Sequence, residues 1–126
     1  MTDPDCPHVV MIVEDDADVR EILSEIVADQ GFCAVSASNG RDALDELRAA
    51  PSPPCVILLD MMMPVMDGWQ FRAEQRRDPA LGGIPVVVLS AHADASEAAE
   101  SMHAAAFLGK PVDLDRLLEV IRRLCR

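Results

Sequence analysis

The chain is short of basic residues, long apolar runs and closely spaced cysteines, and each shortage removes a class of function. Lysine and arginine number 11 against 22 acids, for a formal charge of −11. That balance repels phosphate backbones and argues against direct binding of nucleic acid. Half of the residues are hydrophobic, but the apolar runs fall far below the roughly 20 residues that a membrane helix needs. The leading Met1-Thr2-Asp3-Pro4-Asp5 is acidic and has neither the basic lead nor the apolar centre of a signal peptide. A soluble, cytoplasmic chain is expected. Cys6, Cys33, Cys55 and Cys125 lie far apart without a C-x-x-C spacing, which argues against a disulfide framework or a zinc site. They read as small buried hydrophobes in a reducing compartment. No repeat, low-complexity tract or linker interrupts the 126 residues. One domain over 1–126 is expected, with its core at about 8–125 and no second domain.

What is present is an alternation. HVVMIV (8–13), CVILLD (55–60) and PVVVLS (85–90) are nearly continuous in apolar residues, the mark of strands covered on both faces of a parallel sheet. Weaker strands fit FCAVSA (32–37) and AFLG (106–109). Between them fall helical patterns. From Asp16 to Gln30 the set Val19, Ile22, Leu23, Ile26, Val27 keeps helical spacing, with Gly31 as the stop. Ala43, Leu44 and Leu47 mark a shorter helix, broken by PSPP at 51–54. Leu114, Leu117, Leu118, Ile121 and Leu124 mark the last one, with Asp113 as its N-cap. The two middle helices carry weaker patterns. Gly68 to Arg77 offers Trp69, Phe71 and Ala73; Asp94 to Ala105 offers Met102 alone as a large apolar residue and is expected to be the most mobile. Five βα units in this order predict a doubly wound α/β sheet with right-handed crossovers.

In such a sheet the ligand site lies beyond the carboxyl ends of the strands. Here those ends carry Glu14, Asp15 and Asp16 after the first strand, Asp60 after the third, Ser90 after the fourth and Lys110 after the fifth. Glu14, Asp15 and Asp60 are expected to converge. At about 4 Å two like charges repel by roughly 4 kcal/mol at an effective dielectric near 20. A hard divalent cation relieves this, and carboxylates with water suit Mg²⁺. Asp60 can then act on a phosphoryl group whose oxygens Mg²⁺, Lys110 and Ser90 stabilise.

VEDD (13–16), LLDMMMPVMDG (58–68), LSA (89–91) and KP (110–111) resemble, in order and spacing, the receiver domain of bacterial two-component response regulators. The resemblance implies a flavodoxin-like (βα)5 fold with strand order 2-1-3-4-5. It makes Asp60 the acceptor of a phosphoryl group from a sensor histidine kinase or histidine phosphotransfer protein. Asp15, Asp60 and the backbone carbonyl of Met62 would bind Mg²⁺, with Glu14 acting through water. Lys110 would pair with the phosphate, before a proline whose bond is typically cis. Ser90 would swing toward the phosphoryl group beside the amide of Ala91, and Phe107 would turn inward after it. The downstream partner would dock on the fourth helix, fifth strand and fifth helix, a face compatible with a phosphorylation-dependent homodimer. Arg72 and Gln75 stand where the family more often has aliphatics, so the third helix is expected to pack loosely. His92, two residues past Ser90, is expected to border the path of hydrolytic water opposite Met62.

Single features have plainer explanations. Asp16 reads as a helix-start acid, Asp67-Gly68 as a turn, Phe107 also as a core residue and His103 as a surface one. Two other functions use similar parts. A Mg²⁺-dependent phosphatase of the haloacid-dehalogenase type places a second Asp two residues after its nucleophile, where this chain has Met62. Its acids also follow the hydroxyl and lysine in the chain, whereas Glu14 and Asp15 come first. A flavin carrier needs a phosphate cradle after the first strand, where EDDAD repels an anion. The expected protein is a switch that catalyses only its own phosphorylation and slow dephosphorylation.

Overall fold

Strands rich in Val, Ile and Leu that are buried on both sides need a cover of helices on each face, and the chain supplies it. The computed structural model describes residues 8–91 and 95–125. Its strands are β1 (Val9–Val13), β2 (Cys33–Ala37), β3 (Val56–Asp60), β4 (Val86–Ser90) and β5 (Ala106–Gly109). The helices between and after them are α1 (Ala17–Asp29), α2 (Gly40–Ala49), α3 (Gly68–Arg77), α4 (Ala95–Ser101) and α5 (Leu114–Leu124). All strand pairs are parallel, in the order β2-β1-β3-β4-β5. This is the doubly wound sheet that the alternation predicts, in the flavodoxin-like order that the resemblance implies. Every residue of β1, β3 and β4 is buried, whereas the edge strand β2 is mostly half-buried.

The period of two along each strand divides the interior into two cores. Met11, Val13, Ile57, Leu59, Val86 and Val88 face α2, α3 and α4, which contribute Leu44, Leu47, Phe71 and Ala99. Val10, Ile12, Val56, Leu58, Val87, Leu89 and Leu108 face α1 and α5, which contribute Leu23, Val27, Leu117 and Ile121. Burying side chains of this size contributes about 1.5–3 kcal/mol each.

Side-chain caps fix where the helices begin. Asp16 accepts from the amides of Asp18 and Val19, and Asp113 from those of Asp115 and Arg116. Asp67 and Gln70 form a reciprocal capping box at the start of α3. Past α1, Gly31 takes φ 92, the left-handed turn that stops the helix.

Three expectations need correction. The cysteines are not simple hydrophobes: Cys55 and Cys125 form a disulfide with Cα atoms 5.2 Å apart. Cys33 is also disulfide-bonded, and no described cysteine is free. The sequence separation of 70 between Cys55 and Cys125 hides the pairing, which arises because the start of β3 and the end of α5 meet at one pole of the sheet. Arg72 and Gln75 do not loosen α3, since both are buried and fully engaged in hydrogen bonds. Finally, Ile22, Trp69 and Leu114 carry helical spacing but are exposed, lying at the margin of each apolar stripe rather than at its centre.

Candidate functional site

Register places the chemistry. Val13 pairs with Leu59, Asp60 with Leu89 and Ser90 with Gly109. Glu14 and Asp60 therefore stand level, with Ser90 one residue and Lys110 two residues farther along, all at the carboxyl end of the sheet. Strand parity also sorts them. Glu14, Asp60 and Lys110 continue the series that faces α1 and α5, as Ile12, Leu58 and Leu108 do. Ser90 and Phe107 continue the opposite series, on the side of α2, α3 and α4.

Glu14 and Asp60 are buried, Asp15 is exposed, and one oxygen from each of the three lies within 4.8 Å of the others. The Lys110 ammonium donates to Glu14 Oε1 at 2.7 Å and lies 3.6 Å from Asp60 Oδ1. Burial, a hydrogen bond with Glu14 and repulsion from its charge push the Asp60 carboxyl up to about 7. On Glu14 burial also acts upward, but hydrogen bonds with Asp60 and Lys110, and the lysine charge, hold it below the ordinary carboxylate value. Burial acts downward on Lys110; its pairing with Glu14 and attraction to Asp60 prevail and hold it up. One ammonium thus serves the two buried carboxylates, with Asp15 close by, and of the buried pair Asp60 is the one held toward its protonated form. These hard oxygen donors fit a divalent cation such as Mg²⁺.

The match to known proteins agrees with this geometry. The family model for the response regulator receiver domain matches residues 10–122. The chain belongs to this family. It is 38% identical over 116 residues to the regulatory protein AtoC of Escherichia coli, covering 90% of this chain but only 24% of AtoC. Among solved structures, the chemotaxis response regulator CheY4 of Vibrio cholerae superposes with a TM-score of 0.83 at 27% identity, over 93% of this chain and 98% of that one. The phosphorylated cyanobacterial phytochrome response regulator RcpA gives 0.76 at 28% identity, over 93% and 90%.

The receiver's remaining candidates are placed as follows. Ser90 is buried at the end of β4, Ala91 is exposed beside it, and Phe107 is half-buried against the α2–α4 core. The Met62 amide donates to Asp60 Oδ1 at 3.4 Å while its side chain is exposed, so this position offers backbone rather than side chain to the site. The Lys110-Pro111 bond is cis. His92 lies outside the described residues.

Other parts of the site are not evident from the sequence. Arg20, on α1, donates to the carbonyl of Glu14 at 2.8 Å and to that of Asp15 at 3.5 Å, bracing the backbone of the acidic pair. A single arginine among helix charges gives no such signal. The loop after Asp60 is wedged between two glycines. A Cβ on Gly68 would come within 2.8 Å of Met61 Cα and 3.0 Å of the Asp60 carbonyl, and one on Gly40 within 2.9 Å of the Met66 carbonyl. Gly40 N–H donates to that carbonyl and Gly68 N–H to Met61 O, each closing on the loop.

Proposed function

We propose that the chain is a phosphorylation-activated switch in which Asp60 accepts a phosphoryl group from a histidine kinase or phosphotransfer protein. The observation that carries this reading is the meeting of Glu14, Asp15 and Asp60 within 4.8 Å, with Lys110 between the two buried acids. Asp15, Asp60 and the Met62 carbonyl, with Glu14 through water, would hold Mg²⁺, which would supply neutralising charge to the transferring phosphoryl oxygens. The Asp60 carboxylate attacks phosphorus; a P–O bond forms as the P–N bond of the phosphohistidine breaks, and its electron pair stays on the imidazole nitrogen. Lys110, released from Glu14, pairs with a phosphoryl oxygen. The Ser90 hydroxyl and Ala91 amide take another, and Phe107 packs in behind the serine. The populations of α4 and β5 then shift, presenting the α4-β5-α5 face to a downstream protein or a second copy. RcpA, to which the chain is similar, is a response regulator whose phosphorylated form is known.

The reading takes the chain as one receiver domain, active in the cytoplasm. No helix among the described residues is long and apolar enough to cross a membrane. Without a carboxylate at Met62 to act as acid/base, phospho-Asp60 persists rather than turning over.

Incubation with Mg²⁺ and acetyl phosphate, followed by intact mass, tests the reading. A single phosphoryl adduct is expected, absent from Asp60→Asn and from samples with chelator. If Mg²⁺ binds but no adduct forms, the switch fails. Rapid release of phosphate from varied monoesters would point to a phosphatase instead.

A further inference from the structure

α4 is poorly anchored by apolar contacts. Among the described side chains of 95–105, only Ala99 and Met102 are buried. Its far end is nonetheless tightly closed. His103 N–H donates to Glu100 O at 3.1 Å and Ala104 N–H to Ala99 O at 2.9 Å, with His103 at φ 54. This is the paired closure that usually employs glycine. The two carbonyls beyond the helix are taken by one buried side chain from another element: Arg72 of α3 donates from Nε to Met102 O at 3.0 Å and from Nη2 to His103 O at 3.1 Å. A guanidinium fork spans adjacent carbonyls in fixed geometry, and its charge complements the negative end of a helix. Arg72 is itself held. Its Nη1 donates to Gln75 Oε1 at 2.8 Å, and Gln75 Nε2 donates to Leu81 O and Ile84 O, in the turn that leads into β4.

The two ends of α4 therefore differ. Its start follows Ser90 closely in the chain, at the end of the sheet that carries the acids. Its finish leads into β5 from the opposite pole, where Ala105 N–H donates to Val86 O. We propose that Arg72 is a positioning residue of the switch: it ties the C-terminal end of α4 to α3 as a fixed pivot, so that displacement arriving through Ser90 and Phe107 is expressed at the N-terminal end. The pivot rests on the receiver reading above; the tie itself does not.

Residue-resolved amide hydrogen exchange tests both, on the parent, Arg72→Met and Arg72→Lys, before and after phosphorylation with acetyl phosphate and Mg²⁺. In unphosphorylated Arg72→Met, exchange at His103 and Ala104 should rise at least tenfold relative to β1 and β3. Arg72→Lys, which keeps charge without the fork, should lie between, and it carries the test alone if the methionine variant does not fold. The extent of Asp60 phosphorylation should be unchanged. On phosphorylation, exchange in the parent should change over 95–98 and leave His103 and Ala104 protected, whereas in the variants the change should reach 99–105. An equal rise in β1 and β3, or no rise at all, overturns the tie. Loss of protection at His103 and Ala104 in the phosphorylated parent overturns the pivot. If the parent forms no adduct, the receiver reading falls and takes the pivot with it, while the unphosphorylated variants still decide the tie.

Discussion

Val65 sits at φ 66 with Met66 N–H donating to Pro64 O, a three-residue turn centred on a β-branched, exposed side chain. That conformation costs an L-residue roughly 1–2 kcal/mol, and little burial offsets it. Val65→Gly should stabilise the fold by about 1 kcal/mol net of the glycine's greater unfolded freedom, read as a higher urea midpoint. An unchanged or lower midpoint would show the turn to be unstrained. Nothing in the sequence discloses this, because valine is the residue least expected there. Asp60 is the opposite case: its place at a strand end among other acids was legible, though its proton was not. The carboxyl titrates near 7 when folded against an ordinary 3.8. Between those values the folded form holds the extra proton, so stability falls as pH rises from about 4 to 7 and is then level. Glu14, shifted the other way, works against this by losing its own contribution as pH falls. In chelator, Asp60→Asn should therefore gain stability over the parent progressively from pH 4 to 8, by a few kcal/mol at most. A gap independent of pH in urea titrations would refute the assignment.

Among the elements, β1, β3 and β4 were legible because continuous apolar runs leave one place for them, inside a covered parallel sheet. α3 was found at its true limits, yet its packing was misjudged. Pattern reading treats Arg72 and Gln75 as polar interruptions, whereas Arg72 satisfies the distant carbonyls of Met102 and His103, and Gln75 those of Leu81 and Ile84 in the turn before β4. The sequence pattern overextends α4 for a related reason. Helix propensity runs through to Ala105, but the turn at His103 closes the helix at Ser101. The start of α3 makes a prediction of its own. Gly68 packs against the backbone of Met61 and Asp60, which cannot retreat as a flexible side chain does. Gly68→Ala should cost about 1–3 kcal/mol and displace the loop carrying Met62, slowing Asp60 phosphorylation by acetyl phosphate. A stable variant with parental kinetics would show that the loop yields freely.

Across the whole molecule, the disulfide joins the entry to β3 with the exit of α5 at the pole opposite the acids. Closing a loop of that length contributes about 4 kcal/mol by chain entropy, with measured values commonly about 2–4. Cys55→Ser should lose a comparable amount in urea unfolding under oxidising conditions and nothing under dithiothreitol that the parent does not also lose. The sulfur of Cys55 lies 3.2 Å from Val9 O, so a thiol or serine hydroxyl there has an acceptor once the bridge is open. An oxidised parent no more stable than the variant would refute the estimate. The topology that the strand order dictates also explains what the sequence could and could not reveal. It could show that reactive groups gather at one end of the strands, but not that the sheet sorts them by side. That sorting has a consequence. The sheet behaves as a partition between two chambers, with the acids and lysine issuing from one and the hydroxyl, aromatic ring and α4 from the other. On the proposed reading, packing defects beneath α1 should alter how readily the protein is charged, and defects beneath α4 how strongly it answers. Input and output can on that reading be tuned by separate mutations, because a phosphoryl group on Asp60 would reach both chambers over the partition's rim.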